Sequence, residues 1–134
     1  KTLTATNLAF TLAPRINAAG RFGSPKLAVS LLLAETMEEA MPLAKQLEQC
    51  NRQRKEAEAD ILQEIQEQIQ VHPELVQQRV LLFSGKDWHH GVIGIVAARL
   101  EEQFLRLRAN RREVRHGHSV IFPCLRVWML ATAT

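Results

Sequence analysis

The spacing of apolar and polar positions changes several times along the chain, and each change predicts an element. Leu8-Ala-Phe-Thr-Leu12 is a short apolar run that leads into Pro14, Gly20, Gly23 and Pro25. That density of turn residues predicts a strand or extended entry followed by a structured loop. Ser24 then stands at an N-cap position with Pro25 at the first helical position, ahead of Leu27, Val29, Leu31, Leu32 and Leu33. A helix apolar nearly all round is predicted to be buried.

From Thr36 to Val71 there is no glycine and a single proline, Pro42, placed where a helix either tolerates it or breaks in two. Met37, Ala40, Met41, Ala44 and Leu47 keep a helical stripe, and Ile61, Leu62, Ile65 and Ile69 resume it. Between them lie Asn51, Arg52, Gln53, Arg54, Lys55, Glu56 and Glu58. About 30 residues at 1.5 Å each would span roughly 45 Å, more than a small core needs, so the pattern predicts a strut between two packed bodies. An antiparallel coiled coil is the alternative, weakened because the apolar repeat fails for more than two turns. The carboxylates of this helix are expected on a solvated face.

Val80-Leu-Leu-Phe-Ser84, bounded by Gly85, predicts a buried strand. After Gly85-Lys-Asp-Trp-His-His-Gly91 the text Val92-Ile-Gly-Ile-Val-Ala-Ala-Arg-Leu100 predicts a helix, so strand, polar turn and helix make half of a parallel α/β unit. Beyond Phe104 no clear period survives.

Composition narrows the class. The 134 residues allow one compact domain or pieces of two, and 46% hydrophobic against 23% charged residues fits a globular chain rather than a disordered one. The chain opens on Lys1 with no leader pattern and no apolar run of about 18 residues, so neither secretion nor membrane insertion is expected. Cys50 and Cys124 are too few and too far apart for a disulfide framework or a thiolate metal cage, which favours a reduced, cytoplasmic setting. The net charge of +3 is uneven: residues 1–104 carry −2 and residues 105–134 carry +5, through six arginines against Glu113. The basic character therefore belongs to the tail, which would bind polyanions without discrimination.

Two clusters could carry chemistry. A helix starting near Gly91 would aim unpaired N–H groups and a partial positive charge outward, and His89 and His90 beside them would suit a phosphate. The same two histidines could equally be capping or packing residues. A metal site is disfavoured, because adjacent histidines rarely face one ion and no spaced carboxylate is near. Arg15, Asn17 and Arg21 form the second cluster, able to make bidentate contacts to phosphate or carboxylate, or to satisfy exposed carbonyls at a domain edge. No nucleophile–base pairing and no triphosphate-cradling glycine loop is legible.

Leu12-Ala-Pro-Arg-Ile-Asn-Ala-Ala-Gly-Arg21, Leu47-Glu-Gln-Cys-Asn-Arg-Gln-Arg-Lys-Glu56 and Gly85-Lys-Asp-Trp-His-His-Gly-Val-Ile-Gly-Ile-Val-Ala-Ala-Arg-Leu100 resemble, in order and spacing, the single-strand-specific exonucleases of the DHH phosphoesterase family. The resemblance covers residues 8–104. It implies an α/β fold: residues 1–35 closing a DHH catalytic domain, residues 36–72 a connecting helix, and residues 79–134 the start of a DHH-associated domain, with 105–134 aberrant or poorly ordered. It implies a fragment of a 5′-to-3′ exonuclease of single-stranded DNA in repair and recombination, inactive alone. Two Mg²⁺ or Mn²⁺ ions would be held by ligands preceding Lys1, so no catalytic or metal residue is expected here. Phosphate contact is assigned by the same resemblance to Arg15, Asn17, Arg21, His89, His90, Gly91 and Ser119. A family phosphodiesterase of short oligonucleotides or cyclic dinucleotides, and a non-catalytic nucleic-acid-binding module, are the alternative readings.

Overall fold

The entry segment is helical despite its turn residues. A computed structural model of the chain describes residues 2, 4–78, 80–113 and 126–132, the side chains of 106–113, 126 and 132 excepted. Thr4 caps a single turn, α1 (Ala5–Asn7), through a reciprocal capping box with Asn7. A π-helical stretch (Leu8–Leu12) and α2 (Ala13–Phe22) continue it. Pro14 lies two residues into α2, directly after the π-helical stretch. The predicted strand and loop are thus replaced by helix, and Arg15, Asn17 and Arg21 lie on α2. Gly23 ends it, its N–H bonding the Ala19 carbonyl at 3.0 Å.

Ser24 starts α3 (Pro25–Leu33) as predicted, its hydroxyl accepting from the Lys26 N–H at 3.3 Å. Removing that acceptor in Ser24→Ala is expected to cost about 1 kcal/mol, read as a lowered thermal midpoint by circular dichroism. The helix is not buried as the sequence suggests. Ala28 alone is fully covered, Leu27 and Leu31 are half-buried, and Val29, Leu32 and Leu33 are exposed, Leu33 at 73%. A nine-residue helix can bury only the stripe that meets a neighbour, however apolar its other positions are.

Thr36 opens the long helix α4 (Met37–Val71), its hydroxyl accepting from the Glu39 N–H and its carbonyl from the Ala40 N–H. The helix runs unbroken through Pro42. The chain divides into two compact units, residues 1–57 and 58–134, and the division falls inside α4.

In the first unit the core is Ala19, Ala28 and Leu47, with Ile16, Leu27 and Leu31 packed on it. Alanines at the contact let α2 and α3 approach the N-terminal half of α4 closely. Gly23 belongs to the same fit, since a Cβ there would lie 3.1 Å from the Cys50 Sγ.

The second unit is a β–α–β arrangement set against the C-terminal half of α4. After a 3₁₀ turn (Pro73–Gln77), β1 (Val80–Lys86) leads through the turn to α5 (His90–Glu113) and back to β2 (Arg126–Thr132). The strands are parallel and in register from Val80↔Arg126 to Lys86↔Thr132. β1 is covered on one face only: Leu81 and Phe83 are buried, while Val80 and Leu82 are exposed together with Trp128 and Leu130 of β2. On α5 the buried positions Val92, Val96, Leu100 and Phe104 recur every four residues, one helical face. Ile61 and Ile65 of α4 are buried likewise. Strand β2 lies within the stretch expected to be aberrant or poorly ordered.

One carboxylate of α4 departs from the solvated face predicted for them. Glu58 is 3% exposed and forms an ion pair with Arg99 of α5. Asn51 is also buried and accepts from the Arg54 guanidinium at 3.4 Å. In the 3₁₀ turn, the Glu74 carboxyl is held below its ordinary range by a backbone hydrogen bond of its own residue and then by His72, 3.1 Å away.

Candidate functional site

The turn between β1 and α5 is shaped by three residues with distinct demands. Asp87 takes a left-handed backbone, φ 58°, which a short polar side chain tolerates better than most. Trp88 folds back over Gly85, whose missing Cβ would overlap the indole at Cε2, Nε1 and Cζ2. The indole is buried, and its Nε1–H donates to the Glu64 carboxylate of α4 at 2.7 Å. One helical turn further along α4, the Gln68 amide donates to the Ser84 carbonyl at 2.8 Å. The end of β1 and the turn are therefore tied to α4 at two points.

His89 follows, immediately before α5. Its Nδ1 accepts the Gly91 N–H at 3.1 Å, and its carbonyl accepts from the Val92 and Ile93 N–H groups at 2.8 and 3.2 Å. With Nδ1 accepting, the proton of a neutral ring sits on Nε2. This is the capping geometry that the sequence left open beside phosphate contact. It uses one ring nitrogen and fixes the ring at the positive end of a 24-residue helix. His90 is exposed in the first turn, and Gly91 is half-buried.

On α2 the second cluster divides. Arg15 is engaged at the surface: its Nε pairs with Glu48 of α4 and its Nη1 donates to the Thr11 carbonyl at 2.6 Å. A guanidinium satisfying a carbonyl is the alternative that the sequence had left open. Asn17 and Arg21, four residues apart, share an exposed face of the helix. Arg21 sits in the last turn, where a cation complements the helix dipole. Ser119 lies outside the described residues.

Arg15, Asn17 and Arg21 belong to the first unit, and His89, His90 and Gly91 to the second. Sequence reasoning missed Glu48, Glu64 and Gln68, which orient these residues or their turn. Glu64 and Gln68 are four apart on one helix, but so are many pairs on α4, and only their partners distinguish them. Among the described residues no group of three or more His, Cys, Asp or Glu could hold a metal ion. The described residues thus do not fit a divalent-metal centre, and because the Gly91, Val92 and Ile93 N–H groups are bonded to His89, what they offer an anion is side chains: the His89 and His90 rings and the Arg21 guanidinium. Nor is any helix among them long and apolar enough to cross a membrane.

No protein-family profile matches the chain. Individual proteins do. It is 40% identical over 106 residues to the single-stranded-DNA-specific exonuclease RecJ of Haemophilus influenzae, an alignment covering 77% of this chain and 18% of that protein. RecJ of Escherichia coli is 40% identical over 109 residues, covering 78% and 18%. RecJ of Thermus thermophilus is 37% identical over 102 residues, covering 76% and 15%. The chain thus spans less than a fifth of the length of these relatives. Among solved structures, exonuclease RecJ bound to manganese matches 96% of this chain and 27% of its own at TM-score 0.69 and 29% identity. RecJ of Thermus thermophilus in complex with Mn²⁺ matches 96% and 16% at TM-score 0.68 and 31% identity.

Proposed function

The chain belongs to the RecJ family as one segment of it, and from that premise we propose that it is a strand-holding part of a single-stranded-DNA-specific 5′-to-3′ exonuclease of repair and recombination, acting in the cytoplasm. Residues 1–35 close the catalytic domain, 36–72 connect, and 79–134 begin the DHH-associated domain. In this reading hydrolysis requires Mg²⁺ or Mn²⁺, the ions bound in the solved RecJ structures, and their ligands are assigned to residues outside this segment. The observation that carries the reading is the match of 96% of the chain to RecJ structures, with the three sequence motifs in order.

In this reading the chain's own residues bind and orient the sugar–phosphate backbone. Arg21, with Asn17 beside it, supplies charge and an amide from α2. His89, His90 and the Gly91 region supply the N-terminal end of α5, with little base preference because phosphate contacts carry no sequence information. Arg15 belongs to the same cluster, held in its orientation by Glu48.

The test is the affinity of the 134-residue chain for a labelled oligothymidylate, measured by fluorescence anisotropy. Arg21→Ala and His89→Ala are each expected to weaken binding about tenfold, the loss of one charge-assisted contact. For Arg21→Ala the slope of log affinity against log salt should also fall by about 0.7. Wild-type affinity in both variants would overturn the proposal.

A further inference from the structure

The β1–α5 turn carries two constrained residues. Asp87 is in a left-handed conformation that a non-glycine residue rarely adopts, and Trp88 must lie against a residue without a Cβ. What meets this turn from outside is α4, through Glu64 on the indole N–H at 2.7 Å and Gln68 on the Ser84 carbonyl at 2.8 Å. The first contact is one residue before His89 and the second is on β1 one residue before Gly85. Both lie within the second unit.

We infer that Glu64 and Gln68 are positioning residues: a two-point clamp by which α4 sets the β1–α5 turn, and with it the His89-capped start of α5, in the geometry that receives a DNA phosphate. Neither side chain needs to touch the nucleic acid. Glu64 acts through Trp88, because the indole is buried and its N–H has a fixed direction, so losing the acceptor frees the residue that immediately precedes His89. The inference rests on the strand-holding function proposed for His89, and it adds the residues that make His89 effective.

The oligothymidylate assay with the full 134-residue chain separates the two ideas. Glu64→Leu is expected to bind about tenfold more weakly, as for the loss of a hydrogen bond to a charged acceptor. Glu64→Gln, whose amide oxygen can still accept the indole N–H, should stay within about twofold of wild type. In a Trp128→Phe background Trp88 is the sole fluorophore, and its quenching by acrylamide should rise in Glu64→Leu and not in Glu64→Gln. The double variant Glu64→Leu/His89→Ala should bind no more weakly than His89→Ala alone, since both changes remove the same contact, whereas a general structural loss would add. Should Glu64→Leu fail to fold, Gln68→Ala carries the test: about threefold weaker binding supports the clamp, and wild-type binding overturns it. Wild-type binding by Glu64→Leu beside weakened His89→Ala overturns the clamp and leaves the function standing. Wild-type binding by both overturns the function and the clamp with it.

Discussion

Gly85→Ala is expected to destabilise the second unit by roughly 3 kcal/mol, the scale of overpacking combined with partial loss of a buried aromatic. The added methyl would occupy the space of the indole at Cε2, Nε1 and Cζ2, so one of the two must move. The glycine backbone is fixed by pairing in β1, where it sits opposite Ala131 of β2. Trp88 is the group that can yield, and in yielding it leaves its buried position and its hydrogen bond to Glu64. Urea unfolding followed by far-UV circular dichroism measures the effect, as a lower midpoint at unchanged slope. Gly94→Ala is the matched control. A Cβ on that residue of α5 would meet nothing within 4 Å, and alanine should be neutral or stabilise by up to about 1 kcal/mol. Equal midpoints for Gly85→Ala and the wild type would mean that the indole does not rest on Gly85.

Arg99→Ala is expected to cost about 2 kcal/mol. Glu58 is 3% exposed, and its carboxylate faces the Arg99 guanidinium from α4. Taking away one partner of a fully buried pair leaves a desolvated charge and costs about 3–5 kcal/mol. The Arg99 side chain is 60% exposed, so water already screens part of the attraction and the loss is smaller. Replacing both partners, in Glu58→Met/Arg99→Met, removes the charge that needed compensation, and that variant should unfold within about 1 kcal/mol of wild type. The two single variants and the double complete a cycle by urea unfolding. Additive losses would show that the pair is not coupled.

The elements that could be read from sequence are those specified locally. Ser24 with Pro25 marks the start of α3 because a cap hydroxyl and a preset φ act within two residues. The absence of glycine from Thr36 to Val71 marks α4, observed over Met37–Val71. The apolar run ending at Gly85 marks β1, and the polar turn after it marks the start of α5. The α/β class followed from that strand, turn and helix. The motif that carries the family resemblance lies in this stretch too, so the most informative part of the candidate site was legible before any coordinates.

The remainder depended on partners distant in the chain. Pro14 and Gly20 suggested a loop, yet one falls directly after a π-helical stretch and the other on an exposed helical face. β2 has little pattern of its own and is defined by pairing with β1 across some 46 residues of sequence, from Val80 to Arg126. Arg15 could bind an anion or satisfy a carbonyl, and only the fold brings Glu48 beside it, while its Nη1 donates to the Thr11 carbonyl. His89 could cap or bind, and the Gly91 N–H resolves its Nδ1 as a cap.

By itself the sequence determined which segments are helix or strand where caps, turn residues and spacing act within a few positions, and it carried the family resemblance. Tertiary structure alone decided which apolar face of α3 is covered, which carboxylate of α4 is buried, and how Trp88 ties the turn to that helix. The reason is physical. Local signals act through backbone hydrogen bonds a few residues long, whereas burial and ion pairing depend on which surface is brought opposite by the fold.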